Sequence, residues 1–121
     1  MIVLDTSVLI RFFTNDIPSQ AQKVKKIIEN EIEIRIPDVV FPELEYVLLS
    51  KSYNSNREKI LRAFKFLTLR KNIIVSREIK SAVIIYEKTK LDIADCVIAA
   101  SAKDSKLMSF DKKLISASSL A

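Results

Sequence analysis

The chain has no glycine, no histidine and no tryptophan, and a single cysteine. At average usage a chain of this length would carry roughly eight glycines, so the shortage removes whole motifs. Neither a G-x-x-x-x-G-K-[ST] phosphate loop nor a G-x-G-x-x-G dinucleotide turn exists. Without histidine there is no Ser-His-Asp triad, no Cys-His pair, no imidazole acid or base and no His-rich zinc site. Any enzyme chemistry is left to carboxylates, Lys, Tyr, Ser, Thr or a hard metal ion. Cys96 has no partner for an intramolecular disulfide, which points to a reducing compartment. The start Met1-Ile2-Val3-Leu4-Asp5 meets an acid too early for a signal peptide, and no apolar run reaches about 18 residues. The expectation is a cytoplasmic protein that is neither secreted nor membrane-spanning.

What is present suits one domain over residues 1–121: 49% of the residues are apolar against 29% charged, enough for a single core. The net charge of +5 permits a polyanionic partner without requiring one. Along the chain, short apolar runs alternate with helical patterns. Ile2-Val3-Leu4 feeds a helix capped by Thr6 or Ser7 that breaks at Asn15-Asp16. Ser19 opens a second helix. Ile32, Ile34 and Ile36 alternate with Glu33 and Arg35, the period-two pattern of a strand whose buried face is isoleucine. Asp38 begins a third helix to about Lys51. Asn54-Ser55-Asn56 forms a turn before a fourth, which carries Ile60, Leu61, Phe64 and Leu67 inward. Ile73-Ile74-Val75 reads as a strand, Ser76 as a cap, Asp92 to Ala102 as an apolar helix, Leu107-Met108-Ser109 as a last strand and Asp111 as the start of a last helix. The pattern predicts an α/β fold with a four-stranded parallel sheet, extendable to five, covered on both faces.

Ligands of open α/β sheets bind at the carboxyl ends of the strands. Asp5 ends the first strand, Glu43 sits early in the third helix, Asp92 and Asp95 share one helix face, and Asp111 follows the last predicted strand. These five acids are expected to converge on one sheet edge. Carboxylates without imidazole or thiolate suit Mg²⁺ or Mn²⁺, which prefer oxygen ligands and keep exchangeable waters. Each acid also has a structural reading. Asp5, Asp92 and Asp111 are good helix caps, Asp95 suits the dipole of a first turn, and Glu43 can be a solvated helix residue. Glu43 is the least easily dismissed, because Pro42, Leu44 and Val47 surround it with apolar groups.

The segments Ile2-Val3-Leu4-Asp5-Thr6-Ser7-Val8-Leu9-Ile10, Pro42-Glu43-Leu44, Asp92-Ile93-Ala94-Asp95-Cys96-Val97-Ile98-Ala99-Ala100 and Leu107-Met108-Ser109-Phe110-Asp111 together resemble the PIN-domain family, in particular the VapC-type toxins of prokaryotic toxin–antitoxin pairs. The resemblance spans nearly the whole chain. It implies a three-layer α/β/α sandwich and a Mg²⁺- or Mn²⁺-dependent endoribonuclease whose acid quartet matches Asp5, Glu43, Asp95 and Asp111, with Asp92 as an extra acid. Thr6, Ser7 and Ser109 match the family's small polar positions. A homodimer and a cognate antitoxin protein are also implied, the antitoxin lying in an apolar groove with an Arg near the acids. One departure is the turn Lys103-Asp104-Ser105-Lys106, where members often carry glycine.

Setting five of the fifteen acids aside leaves ten against twenty bases, so the candidate site is a negative patch in a basic surround. Arg57, Lys59, Arg62, Lys65, Arg70 and Lys71 are the candidate RNA contacts, with a solvated helix face as the plain alternative. A second class of function is a catalytically inactive binding module, using Phe12, Phe13, Leu48, Leu49 and Tyr53 as a groove or dimer face; these residues can equally be core. A phosphotransfer receiver shares the strand-end acids but would need a late strand-end lysine, which is missing.

Overall fold

The isoleucine-rich runs ahead of the helices form the sheet. In the computed structural model, which describes residues 1–121, the strands are β1 (Ile2–Val3), β2 (Ile34–Arg35) and β3 (Ile73–Ile74). They lie in the order β1-β2-β3 with both pairs parallel, Ile2 opposite Ile34 and Ile34 opposite Ile73. Two further bonds extend the ladder, from Leu4 N–H to the Arg35 carbonyl and from Ile36 N–H to the Ile74 carbonyl, each 3.1 Å. Leu4, Ile34, Ile36, Ile73 and Val75 are buried, whereas Arg35 points to solvent, so side chains alternate as pleating requires.

The sheet has three strands, not four. Leu107-Met108-Ser109 is irregular: Met108 is 78% exposed, and the Ser109 hydroxyl is taken up locally by the Asp111 amide. One half-buried leucine in three residues gives a sheet little to pack against. Ile32 is also not part of the buried isoleucine face. Because β1 pairs Ile2 with Ile34, Ile32 lies two residues ahead of the ladder and is 93% exposed.

By its internal contacts the chain divides into two compact units, Met1–Val75 and Ser76–Ala121. The first holds the sheet and helices α1 (Thr6–Thr14), α2 (Pro18–Asn30), α3 (Val40–Leu49) and α4 (Arg57–Leu69). Helix α1 packs on α2 and α3, and α4 packs on β3 and α3. Its core is built from Leu9, Ile28, Phe41, Leu44, Ile60, Phe64 and Leu67, with the Phe41 and Phe64 rings 5.4 Å apart. Each such side chain contributes about 1.5–3 kcal/mol on burial. The second unit holds α5 (Arg77–Lys88), α6 (Ile93–Ser101) and α7 (Lys112–Ala117), followed by a 3₁₀ turn at Ser118–Leu120. Helix α5 packs closely on α6 through Ala82, Ile85, Tyr86, Ile93, Cys96 and Ala99, all buried. The small residues let the two backbones approach.

Helix ends explain most remaining differences from the sequence expectation. The cap of α1 is Asp5, not Thr6 or Ser7. Helix α2 starts one residue earlier than Ser19, with Pro18 in the first turn, where its missing N–H costs nothing. Helix α3 starts at Val40 because 37–41 first make a tight turn, with Val40 and Phe41 N–H bonding Pro37 and Asp38 carbonyls at 3.1 Å each. The cap at Ser76 matches expectation, and Asn56, expected only as part of a turn, also caps α4. Three residues take the left-handed conformation that glycine usually fills: Asn15, Asn54 and Asp104, at φ of 53°, 47° and 61°.

Candidate functional site

In the first unit the site begins where β1 ends. Asp5 caps α1 through one oxygen, Oδ1, which accepts from the Val8 amide at 3.1 Å and the Ser7 hydroxyl at 2.7 Å. The Ser7 hydroxyl, then the Val8 amide, hold this carboxyl below the usual carboxylate range. Asp5 is therefore ionised at neutral pH, and no hydrogen bond falls on its Oδ2. Thr6, one residue on, donates to Oε1 of Glu43 at 2.6 Å, tying the start of α1 to the start of α3. A bond this short orients the Glu43 carboxyl group while leaving Oε2 open. Thr6, Ser7 and Glu43 form part of the wall of a cleft of about 640 Å³, together with Arg11, Tyr46 and Tyr53. Arg11 was not singled out from sequence. Its only signal there was a lone cation in an apolar helix.

The second unit carries three aspartates. Asp92 caps α6, its Oδ1 accepting from the Asp95 amide at 2.9 Å. Asp111 caps α7, its Oδ1 accepting from the Lys113 and Leu114 amides at 3.0 and 3.4 Å. Ser109 shapes the approach to that cap by accepting the Asp111 N–H at 3.0 Å. Asp95 itself is half-buried and its carboxylate accepts no hydrogen bond. Burial, then the Asp92 charge, then the Asp111 charge push its pKa up. None of the three is in an ion pair; the pairs lie elsewhere, at Arg11–Asp16, Lys25–Glu29 and Arg62–Glu58. The field at Asp95 is one of uncompensated negative charge.

Within each unit these carboxylates are hard oxygen donors of the kind a divalent cation such as Mg²⁺ takes. Asp5, Asp92 and Asp111 each spend Oδ1 on a helix terminus and keep Oδ2 free, Glu43 keeps one oxygen, and Asp95 keeps both. The cap bonds also hold the carboxylates in fixed orientation. No three carboxylate, thiolate or imidazole groups are gathered tightly enough to close a cage. Mg²⁺ does not need one, since it is held by one or two carboxylates and completes its octahedron with water or substrate oxygens. A family model for the PIN domain matches residues 2–119. The chain belongs to the PIN-domain family. No curated protein matches it closely enough to count as a relative.

Membership places the chain among nuclease-type domains. No helix of this PIN domain is long and apolar enough to cross a membrane. Its candidate RNA contacts divide into two groups. Lys59 and Arg62 line a second cleft in the first unit, of about 760 Å³, together with Phe12, Phe13 and Phe66. Arg57, Lys65 and Lys71 do not line it, and Arg70 lies behind it with its guanidinium 5.6 Å from the Phe66 ring centre. Of the apolar residues expected to form a groove, Phe12, Phe13, Leu48 and Tyr53 line this cleft and Leu49 does not. Leu48 is buried and serves the core as well.

Proposed function

We propose that this PIN domain is a metal-dependent endoribonuclease, the toxin of a toxin–antitoxin pair, with Asp5, Glu43, Asp95 and Asp111 as its catalytic acids and Asp92 as a further metal ligand. The observation that carries this reading is the set of carboxylate oxygens left without hydrogen bonds beside the cap bonds that orient them. A bound Mg²⁺ or Mn²⁺ supplies charge stabilisation at the scissile phosphate and lowers the pKa of a water. The chain's own residues do the rest. Asp5, held ionised by Ser7 and Val8, is a ligand over the whole physiological range. Thr6 keeps Glu43 from swinging away. One of these carboxylates takes the proton from the attacking water. Hydrolysis then breaks one P–O bond, leaving a phosphate monoester on one fragment and a hydroxyl on the other.

The basic surround supports a polyanionic substrate, and the reading includes a homodimer, a cytoplasmic location and an antitoxin protein that occupies the acids when bound. The test is cleavage of RNA by purified protein in Mg²⁺ or Mn²⁺, with loss of cleavage in EDTA and in Asp5→Asn and Asp95→Asn. Cleavage that persists in EDTA, or in both variants, overturns the reading. Growth arrest on expression, relieved by co-expressing the product of a neighbouring small reading frame, tests the toxin assignment separately. The absence of a closed three-carboxylate cage favours one second reading, a PIN-fold binding module without activity, which predicts RNA binding with no metal-dependent cleavage by the unaltered chain.

A further inference from the structure

The second cleft of the first unit joins aromatic surface to cationic surface. Phe12, Phe13 and Phe66 are half-buried and in mutual contact, with ring centres 5.1, 5.5 and 6.0 Å apart. Two of the three pairs are edge-on, so the cluster is no closed stack; one face of Phe66 is already taken by the Arg70 guanidinium, 5.6 Å from the ring centre. Lys59 and Arg62, one turn apart on α4, stand at the same cleft. Lys59 is exposed and in no ion pair; Arg62 holds Glu58 at 3.3 Å, an exposed pair that a phosphate can replace. The one acid in the wall, Asp16, is already paired with the Arg11 guanidinium at 3.1 Å and accepts a hydrogen bond from the Tyr53 hydroxyl at 2.8 Å. That network has a further consequence. Tyr53 lines both clefts, so the aromatic cleft is adjacent to the one that holds Thr6, Ser7 and Glu43.

We infer that the Phe12–Phe13–Phe66 cleft is a subsite for single-stranded RNA, in which an unpaired base stacks on the phenylalanines while Lys59 and Arg62 take the adjoining phosphates. The inference rests on the nuclease reading for the identity of the polyanion. Charge decides between occupants. A purely apolar groove would suit a protein helix, but cations beside ring faces are the combination by which proteins hold single strands without reading sequence. With Tyr53 shared by the two clefts, one strand can pass from one to the other, with its scissile phosphate at the acids and an unpaired base anchored beyond.

The experiment is fluorescence anisotropy in EDTA with a labelled single-stranded RNA of about ten nucleotides. Phe66→Leu, which keeps apolar bulk but removes the ring, is expected to weaken binding by about five- to a hundredfold without changing its salt dependence. Lys59→Gln, at an exposed position that leaves the core intact, is expected to lower the slope of log affinity against log salt by about 0.7. Unchanged affinity in both variants overturns the inference and leaves the cleft to a protein occupant. Loss in Lys59→Gln alone overturns the stacking part and reduces the cleft to a charged surface. Cleavage by the unaltered chain in Mg²⁺ is measured separately: binding that follows these expectations without cleavage sinks the nuclease reading and leaves the subsite standing, and the reverse result sinks the subsite alone.

Discussion

Asp92 and Asp95 are three residues apart on the same helix start, and their substitutions are expected to move stability in opposite directions. Asp92 accepts the Asp95 amide at 2.9 Å, so Asp92→Ala loses a cap worth about 1 kcal/mol, within a range of about 0.5–2 kcal/mol. In a chain of 121 residues that lowers the melting temperature by about 4 °C. Asp92→Asn keeps an acceptor and removes a charge that opposes Asp95 ionisation, so it should melt at or slightly above the parent. Asp95 is the contrary case, because its carboxylate makes no hydrogen bond and its proton is held more tightly in the folded chain than in the unfolded one. Its ionisation therefore opposes folding. The penalty is complete above the folded pKa and disappears as pH falls toward the unfolded value of 3.8. Asp95→Asn, free of that penalty, should melt above the parent at pH about 7 in EDTA, with the difference narrowing as the pH falls. Adding Mg²⁺ reverses the order. A cation bound only by the folded state contributes about 2.7 kcal/mol at a hundred times its dissociation constant, about 10 °C in melting temperature, and Asp95→Asn forgoes most of it. Thermal melts of the three variants and the parent, with and without Mg²⁺, give every number needed. An Asp95→Asn protein that melts below the parent in EDTA refutes the electrostatic account of this helix start.

Three further outcomes follow from single contacts. Asp5→Asn keeps the Oδ1 acceptor for Ser7 and Val8, so urea titration should find it within about 0.5 kcal/mol of the parent at neutral pH while RNA cleavage is lost. The lowered pKa of Asp5 gives the parent stability that is present above 3.8 and lost as pH falls through the folded value, so the variant should show a flatter acid limb. Thr6→Val removes the 2.6 Å bond to Glu43 and is expected to cost about 10–100-fold in cleavage rate or metal affinity, read from initial rates across a Mg²⁺ series. At Asp104, φ 61°, an alanine should cost about 1 kcal/mol and a glycine close to nothing, and equal melting temperatures for the two would show that the left-handed turn is not strained.

The parts of the fold that sequence made legible are those governed by local rules. Three apolar runs became the three strands, Ser76 and Asp92 became caps, and Asn15 and Asn54 made the turns expected of them. The parts that were not legible depend on partners distant in sequence. Nothing within Leu107-Met108-Ser109 reveals that no neighbouring strand is there to pair with it, and nothing within Ile32-Glu33-Ile34 reveals that the ladder begins only at Ile34. The acids could be named from sequence, but not their bonds. That Thr6 reaches Glu43, 37 residues away, and that the Tyr53 hydroxyl donates to Asp16, also 37 residues away, are facts of packing. Arg11 joined the site for the same reason, through its contacts with Asp16 and Tyr53 rather than any pattern in α1.

The structural and functional readings of the aspartates turn out not to compete. Asp5, Asp92 and Asp111 are helix caps, which alone would explain their presence, yet in each the helix uses one oxygen and leaves the other. A serine would cap as well and carry no charge. What aspartate adds at a cap is a second oxygen whose direction the first has already fixed, which suits a metal ligand because little side-chain freedom remains to be lost on binding. Asp95 shows the complementary case. It has no structural bond to lose and carries a penalty from burial and then from the Asp92 and Asp111 charges, so the fold alone gives no account of its charge. A chain without histidine or glycine has no imidazole to coordinate a metal and no glycine loop to cradle a phosphate. In the function proposed here, helix starts capped by aspartate take the first role, and the cleft lined by Phe12, Phe13, Lys59, Arg62 and Phe66 takes the second.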